Sequence, residues 1–180
     1  MKVNFKEDFE QGHLKFYVGN HNIGLDLDEV LCNFVGRFKE YYPHIKHTDN
    51  WYFTYGMNYY MDKLNEDKEF WAGITPLISP EEIPFIPKCY VSKRTFPVDW
   101  TEEWIEKNKF PCVPVIHVND SKVEACKSMK LDFFIDDSIK NFQELNANSI
   151  KTFLMSAKHN LQYNVGNYRL NHLKEVVDKI

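Results

Sequence analysis

The 180-residue sequence has no apolar run approaching the roughly 20 residues that a bilayer-spanning helix needs, so no membrane partner is expected. Cys32, Cys89, Cys112 and Cys126 form no C-x-x-C pair and no regular framework. That argues against a zinc site or a disulfide scaffold and for free thiols in a reducing compartment. There is no excess of one charge: 22 Lys and Arg stand against 26 Asp and Glu, a net −4. Such a balance gives no general attraction to nucleic acid polymers or anionic lipids, so any phosphate binding must come from local groups. Met1 to Asp8 lack the apolar core of a signal peptide, and a cytoplasmic protein is the default expectation. The seven histidines show no metal-ligand spacing; His44 and His47 lie three apart without a partner cluster. Repeats and low-complexity segments are absent.

What is present is organised around Asn22 to Val30, Asn-Ile-Gly-Leu-Asp-Leu-Asp-Glu-Val. Ile23, Leu25 and Leu27 alternate as in a strand, and Val30, Leu31, Phe34, Val35 and Phe38 follow with helical spacing. Asp26 and Asp28 sit at the junction. Residues two apart on a strand point the same way, so both carboxylates face one volume at the strand's carboxyl end, where open α/β sheets bind ligands. A helix beginning near Glu29 would aim unpaired N–H groups at that volume and favour an anion. Two carboxylates beside an anion conflict unless a divalent cation bridges them.

Further strands are expected at Lys88–Ser92, Val113–Val118, Asp132–Asp136 and Lys151–Met155. Between them, helices start near Ser79 and near Asp99, run from Ser121 to Lys130, and start again at Ser138. A last helix carries Leu170, Leu173, Val176, Val177 and Ile180 on one stripe. His13–Val18 reads as a short extra strand. Five alternations predict a doubly wound, mostly parallel five-stranded Rossmann-like sheet with helices on both faces. The connection after the first helix is far longer than the dozen or more residues a crossover needs, and it is rich in aromatics. The expected organisation is an N-terminal extension at 1–21, a core formed by 22–42 and 87–180, and a small, mainly helical lobe inserted at 43–86.

Most strands end in polar groups: Asp26 and Asp28, Ser92-Lys93-Arg94, Asn119-Asp120, and Asp136-Asp137. Parallel strands bring these ends to one rim. Taken alone, each has a structural alternative. The aspartate pair could cap a turn, Asp136-Asp137-Ser138 could cap a helix, Ser92 could be structural, and Lys122 could be a solvated lysine. In combination they point to a metal and phosphate site. Lys122 adds independent weight, because it is expected in the first turn of its helix, where the macrodipole disfavours a cation.

Asp26-Leu27-Asp28-Glu29-Val30, Ser92 closing a strand, Lys122 ahead of a helix, and Ile135-Asp136-Asp137-Ser138 resemble, in order, the four motifs of the haloacid dehalogenase (HAD) superfamily of phosphatases. Within it the chain looks most like the 5′(3′)-deoxyribonucleotidases and the related phage and bacterial 5′-nucleotidases. Phe70-Trp71-Ala72-Gly73-Ile74-Thr75-Pro76-Leu77 is similar to their Phe-Trp-x-x-Leu-x-Pro signature, and Thr152 to Asn160 with Tyr163-Asn164 is a looser echo. One departure is Glu29, where the wider family commonly has glycine.

The resemblance implies a Mg²⁺-dependent phosphomonoesterase acting on nucleoside monophosphates, most of all deoxyribonucleotides. Asp26 would be the nucleophile and Asp28 the acid and base. Mg²⁺ would be held by Asp26, the Asp28 carbonyl, and Asp136 or Asp137. Ser92 and Lys122 would hold the phosphoryl oxygens. Lys93 is counted with them, although Lys93 and Arg94 could equally cover the rim. Trp51, Tyr52, Phe53 and Trp71 either form the small core of the inserted lobe or, some of them with Phe34 or Phe38, stack on a base. A phosphatase for another small phosphoester such as a sugar phosphate, and a non-catalytic phosphate-binding or receiver-like domain, are the rival readings. A monomer and a homodimer are both compatible with the sequence.

Overall fold

The computed structural model describes residues 21–46 and 57–180. The His13–Val18 strand and the aromatics Trp51, Tyr52 and Phe53 lie outside the described residues. Among the described residues six strands form one sheet: β1 (Ile23–Leu25), β2 (Cys89–Ser92), β3 (Val115–His117), β4 (Phe133–Asp136), β5 (Lys151–Met155) and β6 (Arg169–Leu170). Their order is β3-β2-β1-β4-β5-β6, and every pairing is parallel. The helices are α1 (Phe34–Tyr41), α2 (Met57–Leu64), α3 (Lys68–Ala72), α4 (Val98–Lys107), α5 (Val123–Ser128) and α6 (Ile139–Ala147).

The two-residue period of the strands builds a core on each face. Ile23, Leu25, Tyr90, Phe133, Ile135 and Phe153 share one apolar cluster with Phe34 of α1, Phe70 and Trp71 of α3, and Trp104 of α4. Cys89, Val91 and Phe134 point the other way, into a cluster with Cys126 of α5 and Leu145. At Gly24 this second face leaves no room for a side chain. A Cβ there would come within 2.5 Å of Leu131 and 2.8 Å of Phe134. The aromatic stretch between α1 and β2 joins the first cluster, with Leu64, Phe70, Trp71, Ile74, Ile83 and Phe85 all buried.

Three expectations are corrected. The sheet has six strands rather than five, because the segment expected to open the last helix forms β6, and the stripe Leu173, Val176 continues as a 3-10 helix over Leu173–Asp178. A two-residue strand is too short to show alternation, and Leu170 is buried in either reading. The helix near Asp99 starts one residue earlier, at Val98, with Pro97 in the cap position and Asp99 in its first turn. The first helix starts at Phe34, not near Glu29. The Leu27 carbonyl accepts from the N–H groups of Leu31 and Cys32 at 2.8 Å each, which closes a tight turn. That turn is clamped from outside, since Asn33 N–H donates to Thr75 O and Leu77 N–H to Leu31 O.

Candidate active site

The turn after β1 decides what faces the rim. Glu29 sits at φ 57°, a left-handed conformation that costs a side-chain-bearing residue roughly 1–2 kcal/mol. Its carboxylate then accepts from Val35 N–H at 2.9 Å, while Asn33 Oδ1 accepts from Gly36 N–H at 3.0 Å. Two of the four free N–H groups of α1 are thus satisfied within the chain. The expected anion site at this helix start is therefore replaced by an internal cap. Glu29 is largely buried, and desolvation pushes its carboxyl up to about 7 against the Val35 hydrogen bond.

Asp26, Asp28, Phe34, Ser92, Lys93, Lys122, Trp71 and Asp137 all line one pocket at the carboxyl rim, together with Arg94, Met61 and Asn141. Phe38 does not; it lies one turn further along α1, buried against Phe34, Tyr42 and Tyr60. Asn119-Asp120 falls beyond the end of β3, where Asp120 pairs loosely with Lys140.

Lys122 is the hinge of the charge arrangement. It occupies the cap position of α5 rather than its first turn, and it is 1% exposed. Its Nζ lies 2.7 Å from Asp26 Oδ1 and 2.8 Å from Asp136 Oδ2. Burial works against its charge, but Asp136 and Asp26 outweigh that and hold the ammonium above its usual range. Burial pushes the Asp26 carboxyl well up; Lys122 pulls against the shift, and Asp136, Asp137 and Asp28 add to it.

Asp136 and Asp137 have different surroundings. Asp136 accepts from Ser138 N–H at 2.8 Å, from Asn141 Nδ2 on both oxygens, and from Lys122. Asp137 lines the pocket, and His159 pairs with its carboxylate, with Nε2 2.9 Å from Oδ2 and 3.2 Å from the Asp137 carbonyl oxygen. Asn160 Nδ2 donates to that same carbonyl at 2.7 Å. Burial raises the Asp137 carboxyl while His159 opposes the rise.

Asp28 is held by Arg94 through a fork, Nε to Oδ2 at 3.0 Å and Nη2 to Oδ1 at 2.7 Å. The Ser92 hydroxyl lies 3.5 Å from Asp28 Oδ2. Half-buried Lys93 makes no ion pair among the described residues.

Carboxylate oxygens of Asp26, Asp136 and Asp137 lie within 4.8 Å of one another. Among the described residues, Asn141 Oδ1 is buried with no donor, and Asp26 Oδ1 and Asp137 Oδ2 are buried with only the contacts from Lys122 and His159. A cluster of hard oxygens left short of donors fits a small divalent cation such as Mg²⁺.

Arg94 was ambiguous in the sequence, able to approach the substrate or cover the rim, and Thr101, His117, Asn141 and His159 were not singled out as site residues. His117 closes β3 as Ser92 closes β2, so its place at a strand end was a usable signal; His159 and Asn141 gave none.

No protein-family model matches the chain, and no curated protein matches it in sequence. Solved structures do match. An L-2-haloacid dehalogenase superposes with a TM-score of 0.58 at 10% identity, over 88% of this chain and 98% of its own. A HAD-superfamily hydrolase of subfamily IA from Geobacter sulfurreducens gives 0.54 at 12%, over 88% and 95%. A further dehalogenase gives 0.51 at 8%, over 89% and 96%. At such low identity these likenesses concern architecture alone, and the chain has the α/β fold of the haloacid dehalogenase superfamily hydrolases.

Proposed function

We propose that the protein is a Mg²⁺-dependent phosphomonoesterase that works through an aspartyl-phosphate on Asp26, with a nucleoside monophosphate, most of all a deoxyribonucleoside 5′-monophosphate, as substrate. The observation that carries this reading is the charge balance of the pocket. Asp26, Asp28 and Asp137 line it with Asp136 bonded behind them, four carboxylates against the two buried cations Lys122 and Arg94, already spent on them, and the half-buried Lys93. A bare anion would be repelled. Asp26, Asp137 and the Asp28 carbonyl would hold the metal, which supplies charge neutralisation of the phosphoryl oxygens when bound.

Asp26 then attacks phosphorus: the Asp26 O–P bond forms as the ester P–O bond breaks. Lys122 steadies the carboxylate and the equatorial oxygens, and Ser92 and Lys93 face the same group. Water attacks phosphorus next: its O–P bond forms as the Asp26 O–P bond breaks, inorganic phosphate leaves, and the water's proton passes to Asp28. With both oxygens accepting from Arg94, Asp28 is set in the resting geometry for this base role. Protonating the departing alkoxide requires it to turn one oxygen away. The described part of the inserted segment, 57–86, would cover the mouth, because Met61 and Trp71 come from it and line the pocket beside Phe34.

The dehalogenase titles among the fold's relatives suggest a second reading, displacement of halide from a 2-haloacid by Asp26. The carboxylate-rich pocket disfavours it, because such an acid brings its own negative charge without a metal to receive it. The test is release of phosphate or halide from deoxy- and ribonucleoside 5′- and 3′-monophosphates, sugar phosphates and 2-haloacids, with and without Mg²⁺. Metal-dependent phosphate release from nucleotides, lost in Asp26→Asn, is expected. Release confined to sugar phosphates moves the substrate, and metal-independent halide release overturns the reading.

A further inference from the structure

Arg94 is 4% exposed, and its donors leave in opposite directions. The fork goes to Asp28, while Nη1 donates to Thr101 Oγ1 at 3.0 Å and Nη2 also reaches Cys32 Sγ at 3.4 Å. Having accepted from Arg94, the Thr101 hydroxyl donates its own proton to His117 Nε2 at 3.1 Å. His117 Nδ1 then donates to the Phe96 carbonyl oxygen at 3.0 Å. Each role follows from the one before: a guanidinium only donates, a carbonyl only accepts, and these two ends fix the hydroxyl direction and the imidazole tautomer.

The rings of Trp71 and Phe96 close over the guanidinium, with centroids 5.0 and 5.6 Å from its central carbon. Thr101 is fully buried on α4, and His117 ends β3, so two rigid elements anchor the chain. Neither residue lines the pocket. A bidentate fork fixes the plane of a carboxylate, and a fork fixed in turn from behind cannot rotate with it.

We infer that Thr101 and His117 are positioning residues for Asp28, acting through Arg94: the chain Phe96 carbonyl, His117, Thr101, Arg94 sets the orientation of the Asp28 carboxylate over the pocket. The inference rests on the phosphatase reading for its kinetic consequence but not for its geometry. The Asp28 carboxylate handles protons only, while the metal would be met by its backbone carbonyl, so a misaligned carboxylate lowers kcat and leaves KM and Mg²⁺ affinity in place. The loss is larger for an alkyl phosphate, whose leaving group needs a proton, than for para-nitrophenyl phosphate, whose leaving group does not.

The experiment compares Thr101→Val, which keeps shape and removes the hydroxyl, with Thr101→Ser, which keeps it. His117→Asn is a second break; it retains a donor for Phe96 but loses the acceptor for Thr101. Thr101→Val is expected to lose about tenfold in kcat on the best alkyl phosphate, with a smaller loss on para-nitrophenyl phosphate and unchanged Mg²⁺ binding by calorimetry. Thr101→Ser is expected to restore the rate, and His117→Asn to lose it in the same direction. Equal kcat in Thr101→Val and wild type overturns the inference, even if melting temperature falls. The Arg94 Nε–H resonance tests the geometry separately. It is expected to exchange slowly in wild type and Thr101→Ser and faster in Thr101→Val; no change in Thr101→Val overturns the chain. Absence of turnover in wild type with Mg²⁺ counts against the phosphatase reading and leaves this resonance as the arbiter of the inference.

Discussion

Asp26 and Lys122 show how a pair of residues far apart in sequence acts as one unit. Each makes the other tolerable inside the protein, with Asp136 as the third member. Lys122→Met should therefore strand two carboxylates in a dry site and cost about 3–5 kcal/mol by urea unfolding in the absence of metal. A loss under about 1 kcal/mol would show that the cluster does not need its ammonium.

The Arg94 chain carries its own signature in pH. Burial holds the His117 imidazole below its ordinary value of 6.5; Arg94 lowers it further, and Phe96 O and Asp28 oppose. The unfolded chain then binds more protons than the folded one below about pH 6.5, so stability rises with pH there. This contribution is intact above about pH 6.5 and is lost as pH falls towards the lower folded value. The stability margin of wild type over His117→Asn should shrink between about pH 7 and pH 5; a constant margin would contradict the neutral, doubly bonded imidazole.

The residues at strand ends were legible in the sequence because a polar group closing an apolar strand breaks its pattern, as Asp26, Ser92 and Asp136 do. Thr101, His159 and Asn141 were not, because their partners come from distant segments that no local pattern connects. That Asp136 is engaged by Lys122, Asn141 and Ser138 while Asp137 lines the pocket also needed the structure, because these partners come from separate segments.

Elements were legible in proportion to their length. β5 falls on Lys151–Met155 as expected, and β4 differs from the expected strand by one residue. The start of α1 was misread because Val30 and Leu31 keep a helical spacing while packing inside a turn. That turn is held by backbone hydrogen bonds to Thr75 and Leu77, residues some 40 positions away that cannot be inferred from periodicity. The true start is marked by Asn33, whose side chain caps Gly36 N–H. Asn33→Ala should cost about 1 kcal/mol in thermal or urea unfolding. A neutral result would mean that Glu29, which caps Val35, carries the helix start alone.

Across the whole molecule, the parallel sheet delivers four carboxylates to one rim, and the core beneath them cannot move aside. The excess negative charge is the strongest statement the fold makes about what it binds. Mg²⁺ at a hundredfold excess over its Kd should stabilise the protein by about 2.7 kcal/mol, read as a rise in melting temperature. Asp137→Asn should remove most of that rise while Phe38→Leu leaves it intact. An equal rise in wild type and Asp137→Asn would place the cation elsewhere. No helix among the described residues is long and apolar enough to cross a membrane.

The central claim is that Asp26 takes the phosphoryl group. Rapid acid quench of wild type and Asp28→Asn during turnover of a radiolabelled deoxyribonucleoside monophosphate with Mg²⁺ tests it directly. The label should appear on the peptide containing Asp26, removable by hydroxylamine; in Asp28→Asn it should accumulate from labelled para-nitrophenyl phosphate, whose leaving group needs no proton, because the water-activating base is gone. Phosphate released at the normal rate with no label on Asp26 in either protein would contradict the account.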